Sequence, residues 1–252
     1  MFRPKVYLYL IVLLLVMLFS PAGASAGEAI DESGNGRVVF LEVGGSLDLS
    51  LESNASTGYS WQYFPDFTGD GVIKETAHEY REENPGLIGA PGGEYWSFKA
   101  VGAGATSISL GYMRPWESIQ PVKTFKVDVI VIPQQVTVTL NGKPLDADVP
   151  SMIKEGRTLA PMRAVAEALG VEIEWLPATR QVIINKDAIS LELTVGSSKA
   201  LRRDPAGEHN ITLDVPAEIM AGRVFAPLRF FGEALGCKVE WDGKTKVVNI
   251  TS

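Results

Sequence analysis

Hydrophobic residues recur at every second position in a series of short runs over the first half of the chain. Val39 and Leu41 open the series, followed by Leu47, Leu49 and Leu51, and then by Tyr59, Trp61 and Tyr63. A weaker run covers residues 72–80. Trp96, Phe98 and Ala100, then Ile108, Leu110 and Tyr112, then Phe125, Val127, Val129 and Val131 complete it. A period of two places alternate side chains on opposite faces of a strand, so each run predicts a strand with one buried face. Seven such strands, separated by Gly, Pro and Asp clusters and lacking any helical period, predict an all-β, antiparallel, immunoglobulin-like sandwich.

In an up-and-down series the connections alternate between the two ends of the sandwich. The first, third and fifth, Gly44-Gly45, residues 65–71 and residues 102–105, read as ordinary turns. The second, fourth and sixth do not. They are Asn54-Ala55-Ser56-Thr57-Gly58-Tyr59, then Leu87-Ile88-Gly89-Ala90-Pro91-Gly92-Gly93-Glu94, then Arg114-Pro115-Trp116-Glu117. Parity puts all three at one end, where they can form a single edge. Gly58 suits a turn that needs positive φ, and the residues around Gly92 suit either a turn or a close backbone approach. Trp61, on the third strand, reads as core. Trp116 follows Pro115 and lies between Arg114 and Glu117, which reads as an exposed contact position of the type that dominates interfaces. Tyr59 fits either role.

The second half is a duplication. Gly156-Arg157-Thr158-Leu159-Ala160-Pro161-Met162-Arg163 recurs as Gly222-Arg223-Val224-Phe225-Ala226-Pro227-Leu228-Arg229, an offset of 66 that runs without gaps to Glu174-Trp175 and Glu240-Trp241. Met162, Val165, Ala166 and Leu169 fall at helical spacing, with Pro161 before them and Gly170 after, so each copy predicts a short helix followed by two strands. One helix and a few strands bury too little apolar surface to stand alone, which predicts one core shared by both copies. Aligned pairs such as Trp175 with Trp241, Leu169 with Leu235 and Val171 with Cys237 should then match in burial. Cys237, opposite an apolar residue in the other copy, reads as a small buried hydrophobe. Residues 132–135, Ile-Pro-Gln-Gln, form a short linker.

Residues 1–26 read as an export segment: Arg3 and Lys5 are followed by an apolar run from Val6 to Phe19 and by Ala24-Ser25-Ala26. The run is shorter than the ~20 apolar residues of a spanning helix, so cleavage and no transmembrane anchor are expected. Losing Arg3 and Lys5 from 23 basic residues leaves 21 against 30 acidic ones, a net charge of −9 that disfavours nucleic acid. The mature chain would be secreted or held at the cell surface. A single cysteine allows no internal disulfide. The two histidines, His78 in a polar strand and His209 in the turn at residues 206–210, read as solvated and argue against a histidine-based metal site. No cofactor and no catalytic constellation are expected.

The three unusual loops resemble those of the chagasin family of cysteine-peptidase inhibitors, whose pattern is Asn-Pro-Thr-Thr-Gly-Tyr, a Gly-rich loop, and Arg-Pro-Trp. The likeness covers roughly residues 37–132. It implies blocking rather than reaction: the first loop enters the active-site cleft of a papain-like cysteine peptidase and the other two clamp its sides. Carried over, the peptidase-binding residues are Asn54, Ala55, Ser56, Thr57, Gly58 and Tyr59, then Gly89, Ala90, Pro91, Gly92 and Gly93, then Arg114, Pro115 and Trp116. Ala55 and Ser56 depart from the family's Pro and Thr, and losing the Pro loosens the loop. Asn54-Ala55-Ser56 is also a glycosylation sequon, which the inhibitor reading requires to be unmodified. The duplicated half resembles the copper amine oxidase N-terminal-like (stalk) domain, a packing module of α+β composition, with a possible cell-surface component as its partner. The implied layout is an inhibitor domain at residues 36–132 and the stalk domain at 133–252. An alternative is an adhesion or carbohydrate-binding module using Trp61, Tyr63, Trp96 and Trp116 as stacking platforms.

Overall fold

The computed structural model describes residues 27–63, 69, 71–83 and 89–252. The expected export segment at 1–26, and Leu87 and Ile88 of the second loop, lie outside the described residues.

The first unit contains β1 (Glu28–Ile30), β2 (Val38–Glu42), β3 (Ser46–Ser53), β4 (Ser60–Tyr63), β5 (Ile73–Glu82), β6 (Gly92–Ala100), β7 (Gly104–Met113) and β8 (Lys123–Ile132). They form two four-stranded sheets, ordered β1-β3-β6-β5 and β2-β8-β7-β4. The alternating residues of both sheets meet in one core, where Leu47, Leu49, Leu51, Trp96 and Phe98 face Trp61, Ile108, Leu110, Phe125 and Val127. Each such buried side chain contributes about 1.5–3 kcal/mol.

Two pairings correct the antiparallel expectation: β2 pairs β8 in parallel, and so does β1 with β3. The first follows from the alternation itself. Six reversals separate β2 from β8, so the two strands point the same way, and they become neighbours because the chain changes sheet after β2. Strand β1 is an addition that a three-residue run is too short to reveal by period, yet its Ile30 is buried in the core. The unit therefore starts before residue 36.

The second unit contains β9 (Gln135–Leu140), β10 (Lys143–Pro144), β11 (Ser151–Lys154), β12 (Arg157–Pro161), α1 (Met162–Leu169), β13 (Glu172–Leu176), β14 (Gln181–Lys186), β15 (Ile189–Thr194), β16 (Lys199–Asp204), β17 (Gly207–Thr212), β18 (Glu218–Met220), β19 (Arg223–Pro227), α2 (Leu228–Ala234), β20 (Lys238–Asp242) and β21 (Val247–Thr251). The segments β11-β12-α1-β13-β14 and β18-β19-α2-β20-β21 are the two copies. Strands β12 and β19 pair antiparallel with Ala160 opposite Ala226, residues that are themselves 66 apart. A pseudo-two-fold axis therefore passes through that pair, as in an isologous dimer interface. One core takes residues from both copies, among them Met162, Val165 and Ile184 with Leu228, Phe231 and Ile250.

Outside the repeat the symmetry lapses. The β13–β14 hairpin continues into a five-stranded sheet with β15, β16 and β17, whereas β21 pairs β9 in parallel. Burial consequently matches over the first turns of the helices but less well from their last turn onward. Leu235 and Cys237 are buried while Leu169 and Val171 are half-buried, and Trp241 is exposed while Trp175 is half-buried. His209 is exposed, as expected, but lies in strand β17 opposite Arg202 and 3.4 Å from Asp204, and not in a turn.

Only Pro133 and Gln134 separate β8 from β9. Along the end of β8 the alternation breaks: Val129 and Val131 face the first core, and Ile130 and Ile132 are buried as well, against Val149, Met152, Leu159, Val215 and Phe225 of the second unit, with Phe40 of β2 beside them. The Gln135 amide donates to the Glu42 carboxylate at 2.8 Å across the same junction. The units are thus joined by an apolar seam as well as by the chain.

Candidate functional site

The loop after β3 is a single 3-10 turn, Ala55–Thr57, organised by its first residue. Asn54 Oδ1 accepts from the Ser56 amide at 3.1 Å and the Ser56 hydroxyl at 2.6 Å, and the Thr57 hydroxyl donates to Asn54 O at 2.6 Å. This is the helix-start geometry that Asn side chains favour. The turn closes at Gly58, whose φ is 79°. Ala55, Ser56 and Thr57 are exposed, and Gly58 and Tyr59 are half-buried.

The other two loops meet this turn. Asn54 Nδ2 donates to Gly89 O at 3.3 Å, so a glycan on that nitrogen would replace one of its two hydrogens at a bond between loops. Arg114 Nε donates to Thr57 O at 3.2 Å, and its Nη1 donates to Glu117 at 2.9 Å. A Cβ placed on Gly58 would lie 2.7 Å from Cη2 of Trp116, so the indole edge rests directly on the glycine. Trp116 is nevertheless 70% exposed. Its loop also carries Ile119 and Val122 as exposed apolar residues, which the sequence reading did not single out.

Beneath the edge a stack of rings runs into the core. The Arg114 guanidinium lies 4.7 Å from the Tyr59 ring, Tyr59 stacks on Tyr112 at 5.3 Å, and Tyr112 leans on Trp61 at 5.3 Å. The Tyr112 hydroxyl accepts from the Asn54 amide at 2.9 Å. Trp61 itself is 4% exposed, as a core residue should be. Tyr59 thus serves as the bridge between the exposed loops and the core.

Glu94 anchors the base and was not foreseen as a site residue. It is 4% exposed, and its Oε1 accepts from the Ser53 hydroxyl at 2.8 Å and from the Trp61 amide at 2.9 Å. Its Oε2 lies 3.0 Å from His78 Nε2, and the His78 ring stacks on Trp96 at 4.4 Å. One carboxylate therefore ties the end of β3 to the start of β4 on either side of the first loop. The signal available was a carboxylate in an otherwise inward-facing run. His78 is exposed, as expected, yet its ring is also a partner in this cluster.

Gly92 and Gly93 correct the expected extent of the second loop. Both are buried in β6 rather than in a loop, opposite Ser53 and Glu52. A Cβ on Gly92 would lie 2.4 Å from the Arg81 carbonyl, and one on Gly93 3.0 Å from the Tyr95 ring, so both positions are glycine for strand packing. Gly89 and Pro91 remain exposed, with Ala90 half-buried. Trp96 is only 1% exposed, which with buried Trp61 removes two of the four platforms of the adhesion alternative. Among the described residues no cluster of three or more His, Cys, Asp or Glu could hold a metal, and no helix is long and apolar enough to cross a membrane.

Residues 41–129 match the sequence model of the family described as Chagasin family peptidase inhibitor I42. Chagasin of Trypanosoma cruzi is 32% identical over 95 residues, which cover 34% of this chain and 81% of that protein. The chain belongs to the chagasin family. Amoebiasin-2 of Entamoeba histolytica is 31% identical over 90 residues, covering 34% of this chain and 69% of its own. The crystal structure of the cysteine protease inhibitor EhICP2 from Entamoeba histolytica is 26% identical, covering 42% of this chain and 96% of that one, with a TM-score of 0.39. The chagasin-family match starts in β2 and ends in β8, so it contains all three loops of the edge. A second model, Copper amine oxidase N-terminal domain, matches residues 139–250 and takes in both copies of the repeat.

Proposed function

We propose that this chain inhibits papain-like cysteine peptidases by filling the active-site cleft with the turn at Asn54–Gly58 while the loops at Gly89–Pro91 and Arg114–Trp116 press on either side. The observation that carries this reading is the convergence of three separate loops on one edge, with Trp116 lying on Gly58, Arg114 bonded to Thr57 and Asn54 bonded to Gly89. Prior ordering of the loops lowers the entropy lost on docking, the largest avoidable cost of association. Trp116, exposed before binding and large enough to be an anchor, is the residue on which affinity should depend most.

The sandwich is read as immunoglobulin-like and the duplicated unit as an α+β stalk, divided near residue 133. The mature protein acts outside the cytoplasm, secreted or at the cell surface after loss of residues 1–26. Strand β8 spans ten residues from the loop edge to the seam with the second unit, about 30 Å at the rise of an extended strand. That separation supports docking of a peptidase at one pole without interference from the stalk at the other. The test is titration of residues 27–252 against a papain-like peptidase with a fluorogenic substrate. Reversible inhibition with the inhibitor recovered intact supports the reading, and full peptidase activity at micromolar inhibitor refutes it.

A further inference from the structure

The pseudo-two-fold axis of the second unit generates two open grooves built from equivalent residues. One, about 590 Å³, combines Arg157 of the first copy with Arg229, Glu233 and Trp241 of the second. The other, about 650 Å³, combines Arg223 of the second copy with Arg163, Glu167 and Trp175 of the first. Each residue of one set is the partner, 66 positions away, of a residue in the other. Both grooves are composite, with the hairpin from one copy facing the helix and tryptophan strand of its mate. The rims are closed by crossed ion pairs: Arg157 lies 2.5 Å from Asp214, and Arg223 lies 2.5 Å from Asp148, itself the repeat partner of Asp214.

The charged and aromatic side chains around the grooves are the same in both copies, whereas several apolar positions, in the core and on the groove walls alike, differ. Among the apolar positions, Met162 has Leu228 as its counterpart, Val165 has Phe231, Ala166 has Gly232, and Val171 has Cys237. The wall keeps Asp, Arg, Arg, Glu and Trp in both. Packing alone does not require the same five charged and aromatic side chains around two open grooves, or a Trp241 left 40% exposed. Both volumes lie within the range of about 300–1,000 Å³ typical of ligand sites.

The chemistry of the walls selects the occupant. In the first groove Arg157 and Arg229 balance Asp214 and Glu233, and in the second two arginines face Asp146, Asp148 and Glu167. Neither groove offers the excess positive charge that a polyanion needs. An indole face beside paired carboxylates and guanidinium groups fits a pyranose ring, whose C–H face stacks on the aromatic ring while its hydroxyls bond to the charged rim. We propose that these grooves are two equivalent binding sites for a neutral polysaccharide chain, with sugar rings seated on Trp241 in one and Trp175 in the other. Two like sites on one rigid unit suit a polymer of repeating units, which they can hold at effective concentrations that neither site reaches alone.

Calorimetric titration of residues 27–252 with neutral hexasaccharides of glucose, of mannose and of N-acetylglucosamine, with heparin alongside, tests this. The expected result is two sites per chain for at least one neutral hexasaccharide. Trp241→Ala should leave one site, and the exposed pair Arg163→Ala with Glu167→Gln should empty the other. All these variants should keep their inhibition of a papain-like peptidase, since that edge lies on the other unit, which separates failure here from failure of the inhibitor reading; unchanged far-ultraviolet circular dichroism and thermal melting of each variant report that the duplicated unit is still folded. For the matching long polysaccharide, loss of one site should weaken binding at least about tenfold. No binding of any neutral hexasaccharide at millimolar concentration overturns the proposal. So does preference for heparin, or binding unchanged in the variants.

Discussion

Substituting Gly58 by Ala tests whether the first and third loops act as one surface. The φ of 79° costs a residue with a side chain about 1–2 kcal/mol. The added methyl would also sit 2.7 Å and 2.9 Å from Cη2 and Cζ2 of Trp116, about 1 Å inside the usual carbon contact distance. Backbone cannot easily yield there, but Trp116 is mostly solvent-exposed and can swing away. Folding stability should therefore fall by only the backbone strain, about 1–2 kcal/mol in urea denaturation. Inhibition should fall further, because the displaced indole is the proposed anchor: Trp116→Ala alone should cost about 1–4 kcal/mol of affinity with little loss of stability.

A double-mutant cycle on inhibition constants separates the two effects. Once Trp116 is Ala, the methyl at residue 58 has nothing to displace, so Gly58→Ala should cost less in that background by about 0.5–3 kcal/mol, the coupling range of residues in contact. Effects that add to within about 0.5 kcal/mol would refute the idea that Gly58 positions Trp116. Undiminished inhibition by Trp116→Ala would refute the anchor itself.

Trp61→Ala should behave in the opposite way, lowering unfolding free energy by about 3–5 kcal/mol through an emptied core site. Glu94→Ala strips the Ser53 hydroxyl and the Trp61 amide of their acceptor, at about 1–3 kcal/mol for each unsatisfied group, and Glu94→Gln should recover part of the loss; equal stability of Ala and wild type by urea denaturation would contradict its anchoring role. The Ser107 hydroxyl, and after it Lys126, hold the Asp128 carboxyl below its usual pKa, so this stabilisation is present above the ordinary carboxylate range near pH 4 and is lost as pH falls through the depressed value. Ser107→Ala should therefore lower the urea midpoint at pH 7 and much less at pH 3. An isolated fragment of residues 27–133 should keep inhibitory activity but lose solubility, because cutting the seam exposes Phe40, Ile130 and Ile132; polar substitution of the two isoleucines should restore it, as read by light scattering.

What could be read from the sequence was whatever a period or a repeat expresses. Strict alternation located the strands from β2 to β8, and parity of reversals placed the three loops at one end, where hydrogen bonds between Asn54 and Gly89 and between Arg114 and Thr57 now join them. The offset of 66 likewise marked two copies whose strands β12 and β19 pair across a pseudo-axis. Illegible features depended on which strands became neighbours. Alternation is silent on whether β2 lies beside β3 or β8, so the parallel pairing was missed. Glu94 looked like the last residue of a loop because an inward carboxylate breaks the apolar pattern; only its three partners, brought together from β3, β4 and β5, explain why burial is tolerated. Gly92 and Gly93 looked like loop for a related reason, since a glycine that admits a neighbouring carbonyl has the same appearance as one that permits a turn.

The seam between the units has a mechanical consequence. A two-residue connection alone would let the units pivot, and a peptidase at the loop edge would then be held no more firmly than a domain on a short tether. Ile130 and Ile132 change this, because β8 is a central strand of one unit on one face and a buried contact of the other unit on its opposite face. Tilting the units would expose both isoleucines together with Met152, Leu159 and Phe225, at about 1.5–3 kcal/mol for each side chain uncovered. That sum exceeds thermal energy many times over, so the loop edge and the duplicated unit move as one body. An attachment made through the duplicated unit would therefore fix not only where the loop edge is but which way it points.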